Sequence, residues 1–200
     1  MANLNRGSRL RLHGRAQGSD RIHGAGPDRR PLRHPRGVGE PQVNSTARRH
    51  ETISGRARFP MSDIHERIAS SFGAQGLMAT LGAKLDLVSD GEVHIALPYS
   101  EGISQQHGYV HAGAITSIVD SACGYAALTK APADCEVVTA EFKINLLRPA
   151  LGKRFLAIGR VQNSGKLLTV CTGEVRAFPG PGPVHKVVAL MQATIVNVRQ

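Results

Sequence analysis

Between Ala112 and Leu128 the chain reads AGAITSIVDSACGYAAL, a run of small and aliphatic residues broken only by hydroxyls, a tyrosine and, near its middle, Asp120. A segment apolar on nearly every side has to be covered on every side, so it reads as a helix that the rest of the fold wraps. Lys130-Ala-Pro-Ala ends it, because proline cannot continue the hydrogen-bond ladder. What does the wrapping follows from the flanks. Ser62 and Asp63 open a first helix in which Ile64, Ile68 and Phe72 recur at four-residue spacing, closed by Gly73 and Gly76. Extended runs are predicted over 84–88 and 92–97, joined at Ser89-Asp90-Gly91, and over 155–162 and 167–178, joined at Asn163-Ser164-Gly165-Lys166. Over 137–148, Val138, Ala140, Phe142, Ile144 and Leu146 alternate with Thr139, Glu141, Lys143 and Asn145, a period of two. A last strand is predicted over 186–198. Helix, two strands, buried helix, four strands is an α+β order, with a curved antiparallel sheet as the only element able to wrap the central helix.

Charge divides the chain at about residue 60. The net charge of +10 is concentrated in residues 1–60, where 13 Arg and no Lys face 4 acidic residues; residues 61–200 hold 12 basic and 11 acidic residues. The basicity therefore says nothing about what the globular part binds, and no nucleic-acid partner is expected for it. Arg, Gly and Pro fill 26 of the first 60 positions, too few periodic apolar residues to offset the entropy of ordering, so this part is expected to be a disordered extension. Three readings fit it: an over-called start with translation beginning at Met61, where arginine without lysine reflects GC-rich codons; a basic tail touching nucleic acid or membrane; or a cleaved targeting peptide. The folded domain is then residues 61–200. No run approaches the roughly 20 apolar residues that cross a bilayer. Cys123, Cys135 and Cys171 are odd in number and form no CxxC pair, which argues against a disulfide framework or zinc site and for a reducing cytoplasm.

Small residues at the start of the central helix leave its first N–H groups reachable. Ala112 and Gly113 thus offer an anion site reinforced by the helix dipole, the property an oxyanion hole needs. Asp120 lies eight residues on, about 12 Å along the axis at roughly 1.5 Å per residue, so one carbonyl cannot touch both ends of the same helix. If both serve one reaction they come from two chains, which predicts a homodimer with two shared sites. A buried unpaired carboxylate is costly, so Asp120 either serves that reaction or is satisfied locally by Thr116 or Ser117.

The stretches QQHGYVHAGAITSIVDSACGYAA and TAEFKINLLRPA together resemble the hotdog-fold acyl-CoA thioesterases, in particular the phenylacetyl-CoA (PaaI-type) branch. That family's motif is an amide residue, then His-Gly-Gly, an Asp nine residues after the His, and a Ser or Thr ten before a Pro. Here His111 precedes Asp120 by nine, Thr139 precedes Pro149 by ten, and Gln105 stands at the amide position. The similarity spans about residues 75–198. It implies a hotdog fold and hydrolysis of aryl- or medium-chain acyl-CoA to free acid and CoA. Asp120 would activate water or attack the carbonyl from one subunit, with Thr139 positioning the water or the carboxylate. The backbone N–H of Ala112 would hold the oxyanion from the other, and Gln105 would orient water or the carbonyl. His111 and Gly113 fall within the substrate-binding loop. No metal or bound cofactor is implied, coenzyme A being part of the substrate, and the family's habit points to a homotetramer. Ala112 replaces the first glycine of the triplet and Gln replaces Asn at 105.

Other constellations are weaker. His107-x-x-x-His111 has the spacing of helical metal ligands, but Gly108 places it in a loop. Cys123 has no histidine placed to activate it, and no G-x-S-x-G elbow occurs. Lys153-Arg154 and Arg148 could meet CoA phosphates. The alternative from another class is a non-catalytic acyl-CoA- or lipid-binding hotdog protein, which would bind without releasing CoA.

Overall fold

The computed structural model describes residues 60–199; the disordered extension expected over residues 1–60 lies, but for Pro60, outside them. Helices α1 (Met61–Gly73) and α2 (Gly76–Leu81) lead into strands β1 (Lys84–Ser89) and β2 (Glu92–Pro98). A short 3-10 turn at Glu101–Ile103 and a loop follow, then α3 (Ala112–Leu128) and strands β3 (Cys135–Leu146), β4 (Arg154–Ser164), β5 (Leu168–Phe178) and β6 (Lys186–Arg199). The strands form one antiparallel sheet in the order β1-β2-β4-β5-β6-β3. With α3 packed against β2 to β6, this is the hotdog arrangement. The first helix starts one residue before Ser62, and no side chain caps it; the Ser62 hydroxyl donates instead to Asp63.

α3 lies close to the sheet because two strand glycines let it. A Cβ on Gly159 would sit 2.3 Å from the Ala122 carbonyl carbon, and one on Gly173 would sit 2.5 Å from Val119 Cγ2. The helix therefore buries Ile115, Ile118, Val119, Ala122 and Cys123 against β4 and β5. It is not covered on every side, as its composition suggests. Ala112 and Gly113 are exposed, and Thr116, Ser117, Asp120, Ser121 and Gly124 are only partly buried, a stripe at helical spacing along one face.

β3 runs at the edge of the sheet, paired only with β6. A bulge between Thr139 and Glu141 shifts its register. Val137 and Thr139 turn toward the helix before it and Ile144 after it, so the single alternation read over 137–148 is two half-strands of opposite parity. Val138, Phe142, Leu146 and Leu147 stand exposed on or just beyond this edge strand.

Candidate active site

Two groups of residues face the uncovered side of α3. The first is built on the loop that enters the helix. His111 is the N-cap residue, and its Nδ1 accepts from the Gly113 N–H at 2.9 Å. The Ala114 N–H is taken by the His111 carbonyl at 3.0 Å. Of the first N–H groups, Ala112's alone keeps no partner among the described residues, and it is exposed. The expected two-donor anion site is thus a one-donor site, because the His111 ring occupies Gly113. Gly108, at φ 77°, turns the loop into a conformation that suits glycine. Gln105 donates its backbone N–H to Tyr109 O at 2.8 Å, and its side-chain Oε1 accepts from the His107 N–H at 2.8 Å. That fixes the amide, whose NH₂ end has no partner among the described residues. Gln105, Tyr109, His111, Ala112, Ile115 and Leu146 line a cavity of about 540 Å³.

The second group is Asp120 and Thr139. The Thr139 hydroxyl donates to Asp120 Oδ1 at 2.9 Å, linking the middle of α3 to the edge strand just before its bulge. The local partners are otherwise engaged: Thr116 donates to Ala112 O and Ser117 to Gly113 O, each at 2.8 Å. Partial burial raises the Asp120 carboxyl above the ordinary carboxylate range, and the Thr139 bond offsets part of that rise. Neither Asp120 nor Thr139 lines the cavity that holds Gln105 and Ala112. One chain therefore brings together Gln105, His111 and Ala112, and separately Asp120 and Thr139, but does not join the two groups.

Sequence reasoning did not find the polar network one turn beyond Asp120. Gln75 Nε2 donates to the Tyr125 hydroxyl at 2.7 Å and Ser121 to Gln75 Oε1 at 3.4 Å, while Ser71 bonds the same tyrosine at 3.1 Å. This ties α1 and α2 to the central helix across 46–54 residues of sequence, a separation that leaves no local signal. Cys123 and Cys171 are buried beneath the site, Cys171 donating to Cys123 O at 3.4 Å. Burial pushes the Cys171 thiol up to about 12, and burial with the nearby Cys171 and Asp120 pushes Cys123 higher still. Neither has thiolate character to offer as a nucleophile.

The description "thioesterase superfamily" matches residues 107–183, from the loop before α3 to the loop after β5. A thioesterase family protein from Silicibacter pomeroyi has a solved structure that superposes with a TM-score of 0.65 at 39% identity, covering 68% of this chain and 99% of that one. A Halobacterium salinarum protein named as a candidate esterase is 34% identical over 100 residues, 47% of this chain and 66% of that protein. The E. coli PaaI protein of the phenylacetic acid degradation operon shares the fold, with a TM-score of 0.59 at 20% identity over 70% of this chain and 96% of its own.

Proposed function

The chain belongs to the thioesterase superfamily and is a hydrolase, and from that premise we propose that it hydrolyses aryl- or medium-chain acyl-CoA thioesters, in the manner of the PaaI-type branch, at sites shared between two subunits. The observation that carries this reading is the separation of the two groups along α3. Asp120 and Thr139 stand on a face the chain leaves open, while Ala112 and Gln105 stand at the other end of the same face. Two central helices packed antiparallel bring Asp120 of one chain to Ala112 of the other, and cover both the stripe on α3 and the apolar residues exposed along β3.

In that arrangement the thioester carbonyl oxygen accepts from the Ala112 N–H and the Gln105 NH₂, donors of two residues that line one cavity. Asp120, held by Thr139, takes a proton from water as the water attacks the carbonyl carbon, or attacks that carbon itself and is then released by water. Collapse of the tetrahedral intermediate breaks the C–S bond, and the proton goes to the departing CoA thiolate. His111 keeps the loop in place through its bond to Gly113, whose N–H is thereby withdrawn from the substrate. A thioester suits this site because one carboxylate and a small oxyanion hole can attack an activated carbonyl. Residues 61–200 form the catalytic domain, no metal or resident cofactor takes part, and the protein is a cytoplasmic homotetramer built from two such dimers.

The test is free-thiol release from a panel of aryl- and straight-chain acyl-CoAs, comparing the full chain with Asp120→Asn. Turnover that collapses in the variant while folding and dimerisation persist supports the reading. Acyl-CoA binding without CoA release in both proteins overturns it in favour of a carrier.

A further inference from the structure

β3 is a long free edge. It runs twelve residues, Cys135–Leu146, with β6 on one side and no strand of the described residues on the other. An edge of that length offers a row of unpaired N–H and C=O groups to another chain. The opposite edge is guarded: β1 has six residues, a register shift between Leu85 and Leu87, and α1 packed against it, devices that discourage pairing. β3 carries a different device. Glu141, Phe142 and Lys143 are consecutive and exposed. Phe142 and Ile144 stand opposite Ala193 and Met191 of the core, so Glu141 and Lys143 point to the face away from α3. Neither charge is answered within the chain. Among the described residues no ion pair involves either, and Glu141 accepts only from the Thr194 hydroxyl, at 3.3 Å.

Parity and charge together restrict how two copies of this edge can meet. Residues directly opposite in an antiparallel ladder point to the same face. A two-fold axis must therefore pass through a residue, because an axis between residues would set inward side chains against outward ones. An axis on Glu141 or on Lys143 sets that charge against its own copy, which is unfavourable. An axis on Ile144 sets the two charges against Leu147 and Asn145. With the axis on Phe142, Glu141 faces the partner's Lys143 and Lys143 faces the partner's Glu141, while the two phenyl rings meet. The bulge then adds one step. Thr139 and Glu141 pair with the consecutive positions Ile195 and Thr194, so Ala140 is the extra residue and Thr139 falls opposite the partner's Ile144. Both positions belong to the helix side. One same-face step further is the partner's Leu146, a residue that lines the cavity holding Gln105 and Ala112.

We infer that β3 pairs edge to edge with β3 of a second copy of this chain, antiparallel, with the two-fold axis at Phe142 and reciprocal Glu141–Lys143 ion pairs flanking it. The inference rests on the shared-site reading above and supplies the contact that aligns the two halves. The register favoured by charge is also one that serves the chemistry. At a strand spacing of about 4.8 Å and a same-face step of about 6.7 Å, the Cα of Thr139 stands about 8 Å from that of the partner's Leu146. Thr139 holds Asp120 at 2.9 Å, so the carboxylate is brought beside the wall of the other chain's cavity.

The test uses the full chain with single cysteines placed along β3. Phe142→Cys stands opposite its own copy at about 4.5–5.5 Å between Cα atoms, inside the span of a disulfide, so the thiol oxidant diamide should convert it to a covalent dimer. Val138→Cys and Leu146→Cys lie many positions from their copies and should stay uncrosslinked. So should the unmodified protein, whose three cysteines are buried. Independently, sedimentation of Glu141→Lys or Lys143→Glu should show the dimer dissociation constant raised about 10- to 100-fold, two attractive pairs having become repulsive. Thiol release from acyl-CoA should fall in step as the protein is diluted. The double variant E141K/K143E should restore both, its pairs re-formed with signs exchanged. Crosslinking at Val138 or Leu146 in place of Phe142, or a double variant no better than the single ones, overturns the register and leaves the thioesterase reading intact. An unmodified chain that is monomeric and still releases CoA removes the pairing together with the shared site. A dimer crosslinked at Phe142 that releases no CoA keeps the pairing and removes the thioesterase reading.

Discussion

Asp120 is held where burial works against its charge, and a single hydroxyl, that of Thr139, offsets part of the cost. Both halves of that balance can be measured. On the proposed reading Asp120 acts as base or nucleophile and must be ionised for either, so kcat/KM should fall with acid through a limb lying above the ordinary carboxylate range. Thr139→Ala removes the donor that favours the anion, so the limb should move to still higher pH and activity at neutral pH should drop about tenfold or more; Thr139→Ser should restore both. Asp120→Asn should lower turnover roughly 10²–10⁴-fold, the range for losing a positioned base. Its effect on stability has a definite sign. Because the folded-state pKa is raised, the acid form of Asp120 is the better tolerated one, and its contribution is lost as pH rises through that value. The Asn variant carries no such cost, so its thermal midpoint should exceed that of the unmodified protein at neutral pH and approach it in acid. At this scale the residue types were legible in the residues themselves, and the pairing only through the family resemblance, which has Thr139 positioning the water or the carboxylate. Thr116 and Ser117, the local candidates, turn back onto their own helix. The actual partner is 19 positions away, where only a motif that couples the two blocks could point to it.

The elements show why the sequence gives the helix more readily than the sheet. α3 spans Ala112–Leu128, the bounds its composition sets, because a long apolar run between a glycine loop and a proline has little else to become. The hairpins at 89–91 and 163–166 are local, and their turn residues announce them. Strand order is not local: β3 lies at the edge beside β6, although β4 follows it in sequence, and nothing in its alternation says so. The bulge after Thr139 is hidden for a similar reason, since Ala140 fits either face. Gly159 and Gly173 are the signal that was missed, glycines inside strands, which mark a close approach of another element. Gly159→Ala should be the more damaging of the two substitutions, as its Cβ would meet helix backbone rather than a side chain. We expect a loss of roughly 1–3 kcal/mol or more in denaturant unfolding, the scale of overpacking in a tight core.

At the scale of the whole molecule, the described residues hold the two groups apart on one face of α3 and leave the β3 edge unpaired, and on the proposed reading a single symmetric partner answers both. In a two-fold dimer every contact occurs twice, so each site would draw Asp120 and Thr139 from one chain and Ala112 and Gln105 from the other. That assignment makes a prediction no single-chain site can satisfy. Asp120→Asn and Gln105→Ala each impair both sites of their own homodimers. A mixed dimer of the two variants has one site with both substitutions and one with neither. Unfolding the two proteins together and refolding them as a mixture should therefore restore about a quarter of the unmodified activity, half of the dimers being mixed and half of their sites intact. The same proteins refolded apart and then combined without exchange should stay at the sum of their separate activities. Sedimentation of the refolded mixture establishes that dimers formed. Recovery confined to the co-refolded sample would show that a substrate is handled across the two-fold axis. Dimers without recovery would place Gln105 and Asp120 in one chain's site, and a monomer retaining full activity would remove the shared site altogether.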